Sequence, residues 1–353
     1  MSLILTFLGK GGVGKTTTAI ATARAYASQG KRVLLVGQQV GNSLAQMLET
    51  ELDCDPKQVQ ANLMAVNLVS TTLIERYWEQ MRSLENQYLR TPFFKEVYGQ
   101  ELGILPGMDA ALGLAWLRDR EAEGNYDLII YDGMGDMYAL RMLGMPEILS
   151  WYLRRFRDAI SVSSLGKALS PFVEPVLRSV LHVSSTEDFN KQAGEATDIL
   201  SQGREAVKDA DRVAAYLVTT ADPIAVDVAK YLWGSAQQVG LTVAGVFGRG
   251  EFDATEFAPL PVETLADRPG ELIIPDHMSP RLATPSFSID VAAKLVKLYL
   301  PTFDKKQVKL IQSGPEITIE AGDQRHNLFL PPELAGKQAT GAKFQDSHLL
   351  IYF

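Results

Sequence analysis

Gly9-Lys-Gly-Gly-Val-Gly-Lys-Thr-Thr17 decides the fold. The stretch satisfies G-x-x-x-x-G-K-[ST] and stands between an apolar run, Ser2–Leu8, and a segment with helical spacing, Thr16–Gln29. In that segment Ala19, Ile20, Ala23, Tyr26 and Ala27 recur on one face, and Gly30 suits the position after the last turn. A short apolar run ended by glycine reads as a buried parallel strand. Strand, glycine loop and helix together bring backbone N–H groups to the positive end of a helix, where phosphate oxygens are held. An accidental glycine turn would lack this framing. The expected occupant is ATP or ADP with Mg2+. Gly9, Lys10, Gly11, Gly12, Val13, Gly14, Lys15, Thr16 and Thr17 form the site, with Lys15 reaching the β- and γ-phosphates and Thr16 holding the metal.

Outward from this loop the same grammar repeats. Lys31–Val36, Tyr126–Tyr131, Val213–Thr219 and Leu241–Phe247 read as strands, separated by helical stretches such as Asp222–Val239. Alternation of this kind predicts an α/β fold with a doubly wound, mostly parallel sheet. Asp132 follows the second of these strands, at a C-terminal end suited to Mg2+ or its waters. Between about 142 and 210 the strand signal is absent. Ile148, Leu149, Tyr152, Leu153 and Phe156, then Leu165, Leu169, Phe172, Val176 and Leu177, form apolar helical stripes, which predicts a helical insertion. After Pro301 short strands are expected at Val308–Ile311, Glu316–Glu320, Asn327–Leu330 and Leu349–Phe353. The expected division is therefore 1–302 for the α/β domain and 303–353 for a small all-β domain, which is too small to be comfortable alone.

Composition narrows the classes. Of 353 residues 46% are hydrophobic and 22% charged, an ordinary globular balance. A net charge of −8 argues against a nucleic-acid partner, which needs a basic footprint. Cys54 is the single cysteine, so no disulfide, zinc clip or iron–sulfur site can form within the chain. His182, His277, His326 and His348 are scattered without metal-ligand spacing. No apolar run reaches 18 residues and no leader precedes the first strand, so no membrane insertion and a cytoplasmic or stroma-like compartment are expected.

Lys10 stands too early to be the ordinary P-loop lysine. Lys-Gly-Gly-Val-Gly-Lys-Thr resembles the deviant Walker-A signature of the MinD, ParA, nitrogenase-iron-protein and arsenite-pump ATPases. In those families the extra lysine crosses a dimer interface to the partner's nucleotide, so the resemblance implies a homodimer. Leu105–Gly113 resembles a Pro-Gly-hydrophobic-Asp-Glu-Ala stretch of the arsenite-pump and tail-anchored-protein-targeting ATPases. In Asp132–Pro146 the residues Asp132, Leu140, Arg141, Leu143 and Pro146 match the same family. Leu330–Ile351 resembles the end of an α-crystallin (small heat-shock) domain. Together these imply the photosynthetic-lineage branch of the targeting ATPases, which carries such a tail.

The family pattern also breaks. Its switch I reads Asp-Pro-Ala-His, whereas this chain has Gly37-Gln-Gln-Val-Gly-Asn-Ser43. Anchored on Leu34–Val36, Gln39 replaces the catalytic Asp and Asn42 the His. An amide can orient water but cannot take its proton. Slow hydrolysis is expected, with Gln39 or Asp136 orienting the water alongside Lys10, Lys15 and Asp132. The adenine-side Asn of the family is missing near Val246–Arg249, and the missing cysteines remove the zinc clasp of eukaryotic relatives.

The implied role is an ATP-gated targeting factor or chaperone for hydrophobic membrane-protein segments. Met142 and Met145 would begin its apolar groove, or else belong to the helical subdomain's own core. Trp151–Arg157 reads equally as a solvated amphipathic face. The alternative is a ParA/MinD-like positioning ATPase without a client. MinD-type proteins end in a basic amphipathic helix, whereas the helix expected at Ile289–Tyr299 is followed by the β-tail. A metalloid pump needs a cysteine cluster, which one thiol cannot supply.

Overall fold

The computed structural model describes residues 2–38, 41–77, 79, 107–162, 189–266 and 270–353, with backbone alone for 153–162 and 189–196. Eight strands form the main sheet in the order β3-β4-β2-β5-β1-β6-β7-β8. They are β1 (Leu3–Leu8), β2 (Val33–Gly37), β3 (Lys57–Gln60), β4 (Leu63–Asn67), β5 (Leu128–Asp132), β6 (Val213–Thr220), β7 (Thr242–Arg249) and β8 (Val262–Thr264). All pair in parallel except β3, an antiparallel edge on β4. β1 lies between β5 and β6, so the chain leaves the middle of the sheet into the glycine loop.

Both faces of the sheet are covered, and this explains the near-continuous apolar strands. Leu5, Phe7, Val33, Leu35, Leu128 and Ile130 point to one side, where α1 (Lys15–Ser28) packs Ala19, Ile20 and Ala23 against them. Leu8, Leu34, Val36, Ile129 and Tyr131 point to the other. There α3 (Met108–Ala122), α4 (Met137–Val162) and α6 (Pro223–Gln238) bury Trp116, Met142 and Trp233. A short α2 (Ser43–Leu48) follows β2, and α5 (Phe189–Lys208) packs along α4. The α4–α5 pair occupies the place of the expected helical insertion. Leu165, Leu169, Phe172, Val176 and Leu177 lie outside the described residues.

Of the groove and core readings, Met142 and Met145 take the core: Met142 is fully buried, and Met145 packs against the same cluster. One expectation requires correction, since Ile289–Tyr299 is not helical. It forms β9 (Phe287–Asp290) and β10 (Leu295–Tyr299), an antiparallel hairpin. Val296 and Leu298 alternate at the period of a strand, and β10 gains a second partner in β15. Sheet pairing with residues fifty positions onward overrides the local apolar pattern, a pairing that no local window contains.

The β domain accordingly takes strands from residue 287 onward. Its four-stranded sheet runs β14-β15-β10-β9 and its three-stranded sheet β11-β12-β13. The remaining strands are β11 (Val308–Ser313), β12 (Glu316–Ala321), β13 (Gln324–Phe329), β14 (Gly341–Gln345) and β15 (His348–Tyr352). Leu298, Phe303, Ile317, Ile319, Leu330, Leu349 and Ile351 form the core of this small sandwich. One edge of the sandwich packs on α4 and α6.

Candidate nucleotide site

The loop from β1 turns through Gly12 and Gly14, with φ of 85° and 100°, before α1 begins at Lys15. Gly9 donates its N–H to Gly135 O at 2.9 Å, which ties the loop to the β5–α4 connection. Lys15 runs back under the loop, its Nζ donating to Gly9 O at 2.9 Å and Lys10 O at 3.0 Å. Burial lowers the Lys15 pKa, and the carboxylates of Asp132 and Asp136 oppose that shift. Gly135 makes this course possible. At its φ of 63° an added Cβ would stand 2.4 Å from Lys15 Cε and 2.6 Å from Phe7 O.

Asp132 ends β5 beside Gly37 of β2 and is 2% exposed. Its carbonyl accepts from Gln38 N at 3.1 Å, so the segment after β2 starts against the acidic strand end. Asp136 accepts from Tyr138 N at 2.8 Å through Oδ1 and so caps the start of α4. Lys15, Asp132 and Asp136 thus converge at the C-terminal ends of adjacent strands, the usual ligand position in an open α/β sheet. Thr16 and Thr17 stand in the first turn of α1. Among the described residues no three His, Cys, Asp or Glu side chains could hold a metal by themselves. A hydroxyl and a carboxylate suit Mg2+, which keeps water and phosphate oxygens as its other ligands.

Gln39 lies outside the described residues. Its neighbour Gln38 is firmly held: Tyr131 OH donates to Gln38 Oε1 at 2.9 Å, and Gln38 Nε2 donates to Asp109 O at 3.0 Å. Burial raises the Tyr131 pKa, which keeps this phenol a neutral donor. A Cβ on Gly113 would stand 2.3 Å from Gln38 Oε1. The Gly107–Gly113 run, legible in sequence only as a resemblance, therefore seats Gln38, the side chain immediately before Gln39. Asn42 is exposed at the start of α2 and makes no capping bond there.

Lys10 faces outward. Its Nζ lies 3.4 Å from Asp222 Oδ2, and both side chains are 41% exposed. Asp222 also accepts from Ile224 N at 3.1 Å and so caps α6, with Pro223 in the first turn. A cleft of about 550 Å³ opens here, over Gly9 and Lys10 and between Asp136 and the Ile224, Asp227 and Tyr231 face of α6. Sequence reasoning missed this α6 wall, although Asp222-Pro223 is a legible helix start.

A mostly parallel sheet whose central strand feeds a glycine loop and helix, with the buried Asp132 at the adjacent strand end, is the P-loop nucleotide-binding class. Residues 2–253 match the anion-transporting ATPase family, and residues 293–353 match the HSP20-like domain found in ArsA. The chain belongs to the anion-transporting ATPase family. Similar proteins include one of Chlorobaculum tepidum named "Putative arsenical pump-driving ATPase", 24% identical over 99% of this chain and 95% of its own. One of Aquifex aeolicus bearing a similar name is 22% identical over 99% of both chains. The ATPase GET3 of Malassezia globosa is 28% identical over 47% of each.

Proposed function

We propose that the protein is a dimeric ATP-binding switch that hydrolyses ATP slowly and escorts hydrophobic, tail-anchored-type segments of membrane proteins from a soluble compartment. The observation that carries this reading is the course of α4. The helix starts at the capping Asp136 beside Lys15 and continues unbroken to Val162. It turns Ile148 and Tyr152, one helical turn apart and 36% and 52% exposed, toward solvent. Tyr152 is about 22 Å along the axis from Met137 at 1.5 Å per residue. A change at the phosphates would therefore reach an exposed apolar face along one helix, which carries Pro146 between Met137 and Ile148.

Lys15, Thr16 and Asp132 would hold the triphosphate and Mg2+, and Mg2+ would neutralise charge developing on the phosphate oxygens. Gln39 or Asp136 would orient water. Lys10, exposed at the mouth of the site, is available to a second copy of the chain. The arsenical role in the relatives' names is the competing reading. Cys54, the sole thiol, is buried and accepts a hydrogen bond from Val69 N at 3.1 Å, so it offers no thiolate cluster to a metalloid.

The test is co-purification of the full chain with a tail-anchored client, with and without ATP. Nucleotide-dependent capture is expected, together with its loss in Lys15→Ala. Absence of capture in either state would remove the client from the proposal, and unchanged ATP affinity in Lys15→Ala would remove the nucleotide site.

A further inference from the structure

We infer that Arg249 binds the phosphate chain of the nucleotide held by Gly9–Thr17, as a cationic contact in addition to the P-loop lysine. The inference rests on the nucleotide-site reading given above and extends it to a residue outside the P-loop motif.

Arg249 is the last residue of β7. Its backbone is fixed by pairing opposite Thr220 and by Ala221 N, which donates to Arg249 O at 3.0 Å. From there the guanidinium folds over the end of the phosphate loop. An added Cβ on Gly14 would stand 2.9 Å from Arg249 Cζ and Nη1 and 3.0 Å from Nη2. The fork therefore lies against the loop's last residue, immediately before the first turn of α1.

Two of its donors are unmet. Arg249 Nε and Nη2 are both shut off from solvent, and neither has a hydrogen-bond partner. Buried guanidinium N–H groups are normally paired, because the group cannot shed its proton and desolvating it is costly. The surroundings make the position harder to explain as packing. The guanidinium stands at the positive end of α1, one residue from Lys15 in the loop. No carboxylate among the described residues forms an ion pair with it. A cation beside a lysine and a helix N-terminus is stabilised only by an anion. The Nε–Nη2 edge is the side-on fork that matches two oxygens of one phosphate, a geometry that lysine cannot reproduce.

The experiment measures binding of Mg2+–AMP-PNP to the full-length protein by calorimetry, with thermal melting in the absence of nucleotide. Arg249→Gln should weaken AMP-PNP by about 10- to 100-fold, the range expected for hydrogen bonds to a charged group. Its nucleotide-free melting temperature should be unchanged or raised, because an unmet buried charge has been removed. Arg249→Lys, which keeps the charge without the fork, should still lose about tenfold. That variant decides the matter if the glutamine protein does not fold. Unchanged affinity in Arg249→Lys or Arg249→Gln, with Lys15→Ala losing binding in parallel, would overturn the role of Arg249 and leave the nucleotide site standing. A lowered nucleotide-free melting temperature with unchanged affinity would mark Arg249 as a packing residue. Failure of the wild type itself to bind AMP-PNP would remove the underlying reading along with the inference.

Discussion

The two ends of α6 are held by different physics. At its N-terminus Asp222 caps the helix and meets Lys10 across 3.4 Å, both groups wet, in a pair of the kind that contributes between nothing and about 1 kcal/mol. Toward its C-terminus the helix is locked under the β domain. Gln238 Nε2 donates to Ala321 O at 2.7 Å, His326 Nδ1 contacts Gln238 O, and Trp233 meets Tyr299 edge-on at 6.0 Å. Midway, Tyr231 lines the cleft over the phosphate loop while its hydroxyl accepts from Asp323 N at 2.8 Å. The β domain is thus an anchor for a helix whose opposite end touches the nucleotide loop. Adjustment is left to the Lys10 end, where little has to be broken.

The most severe way to break the anchored end is acid. His326 is fully buried, and burial, aided by nearby Lys208, lowers its pKa to about 4, against the Gln238 carbonyl that favours the charged ring. An unfolded histidine titrates near 6.5. With the folded value depressed, the contribution of the neutral ring is complete above about pH 6.5 and is lost as pH falls toward 4. The full loss is about 3 kcal/mol, at 1.36 kcal/mol per unit. Urea denaturation at pH 7 and pH 4.5 should show it, and His326→Leu should flatten the difference. An equal pH slope in the variant would disprove the assignment. A smaller effect is expected from Gly234→Ala. The new methyl would stand 2.6 Å from both Phe303 Cε2 and Pro301 O, and forcing the domains apart should cost about 2 kcal/mol in thermal melting. AMP-PNP affinity should stay within about twofold of wild type if the anchored end is separate from the phosphate loop. A large loss would show the two ends to be coupled.

The contrast between the ends also marks what could be read in advance. The phosphate loop, the strands around it and the α6 start at Asp222 are local patterns, in which each residue's role follows from its immediate neighbours. The anchored end is not local. Gln238 and His326 meet across eighty-eight positions, and nothing near Ile289–Tyr299 announces that this segment pairs with His348–Tyr352. The same limit applied at the site. Lys15 and Asp132 were legible from motif and strand end. Gln38 in its seat of Tyr131, Asp109 and Gly113, and Arg249 over Gly14, depend on contacts between distant segments. Residues that belong to a local motif were visible. Those that act through tertiary placement were not.

The adjustable end gives the smallest effect on stability and the sharpest test of the comparison. Lys10→Ala removes an exposed ion pair and leaves Asp222 free to cap α6 through its bond from Ile224 N. Unfolding free energy should therefore change by less than about 0.5 kcal/mol. Asp222→Asn keeps a capping oxygen and should be equally quiet. The two differ in what they leave at the mouth of the cleft: the first removes the cation that the proposed dimer would use, and the second releases it. Sedimentation velocity with Mg2+–AMP-PNP should then show a weakened dimer for Lys10→Ala and an equal or stronger one for Asp222→Asn. If both variants weaken the dimer alike, the ion pair itself is the contact surface, and Lys10 is a structural partner of α6 and not a group held in reserve for the neighbouring nucleotide.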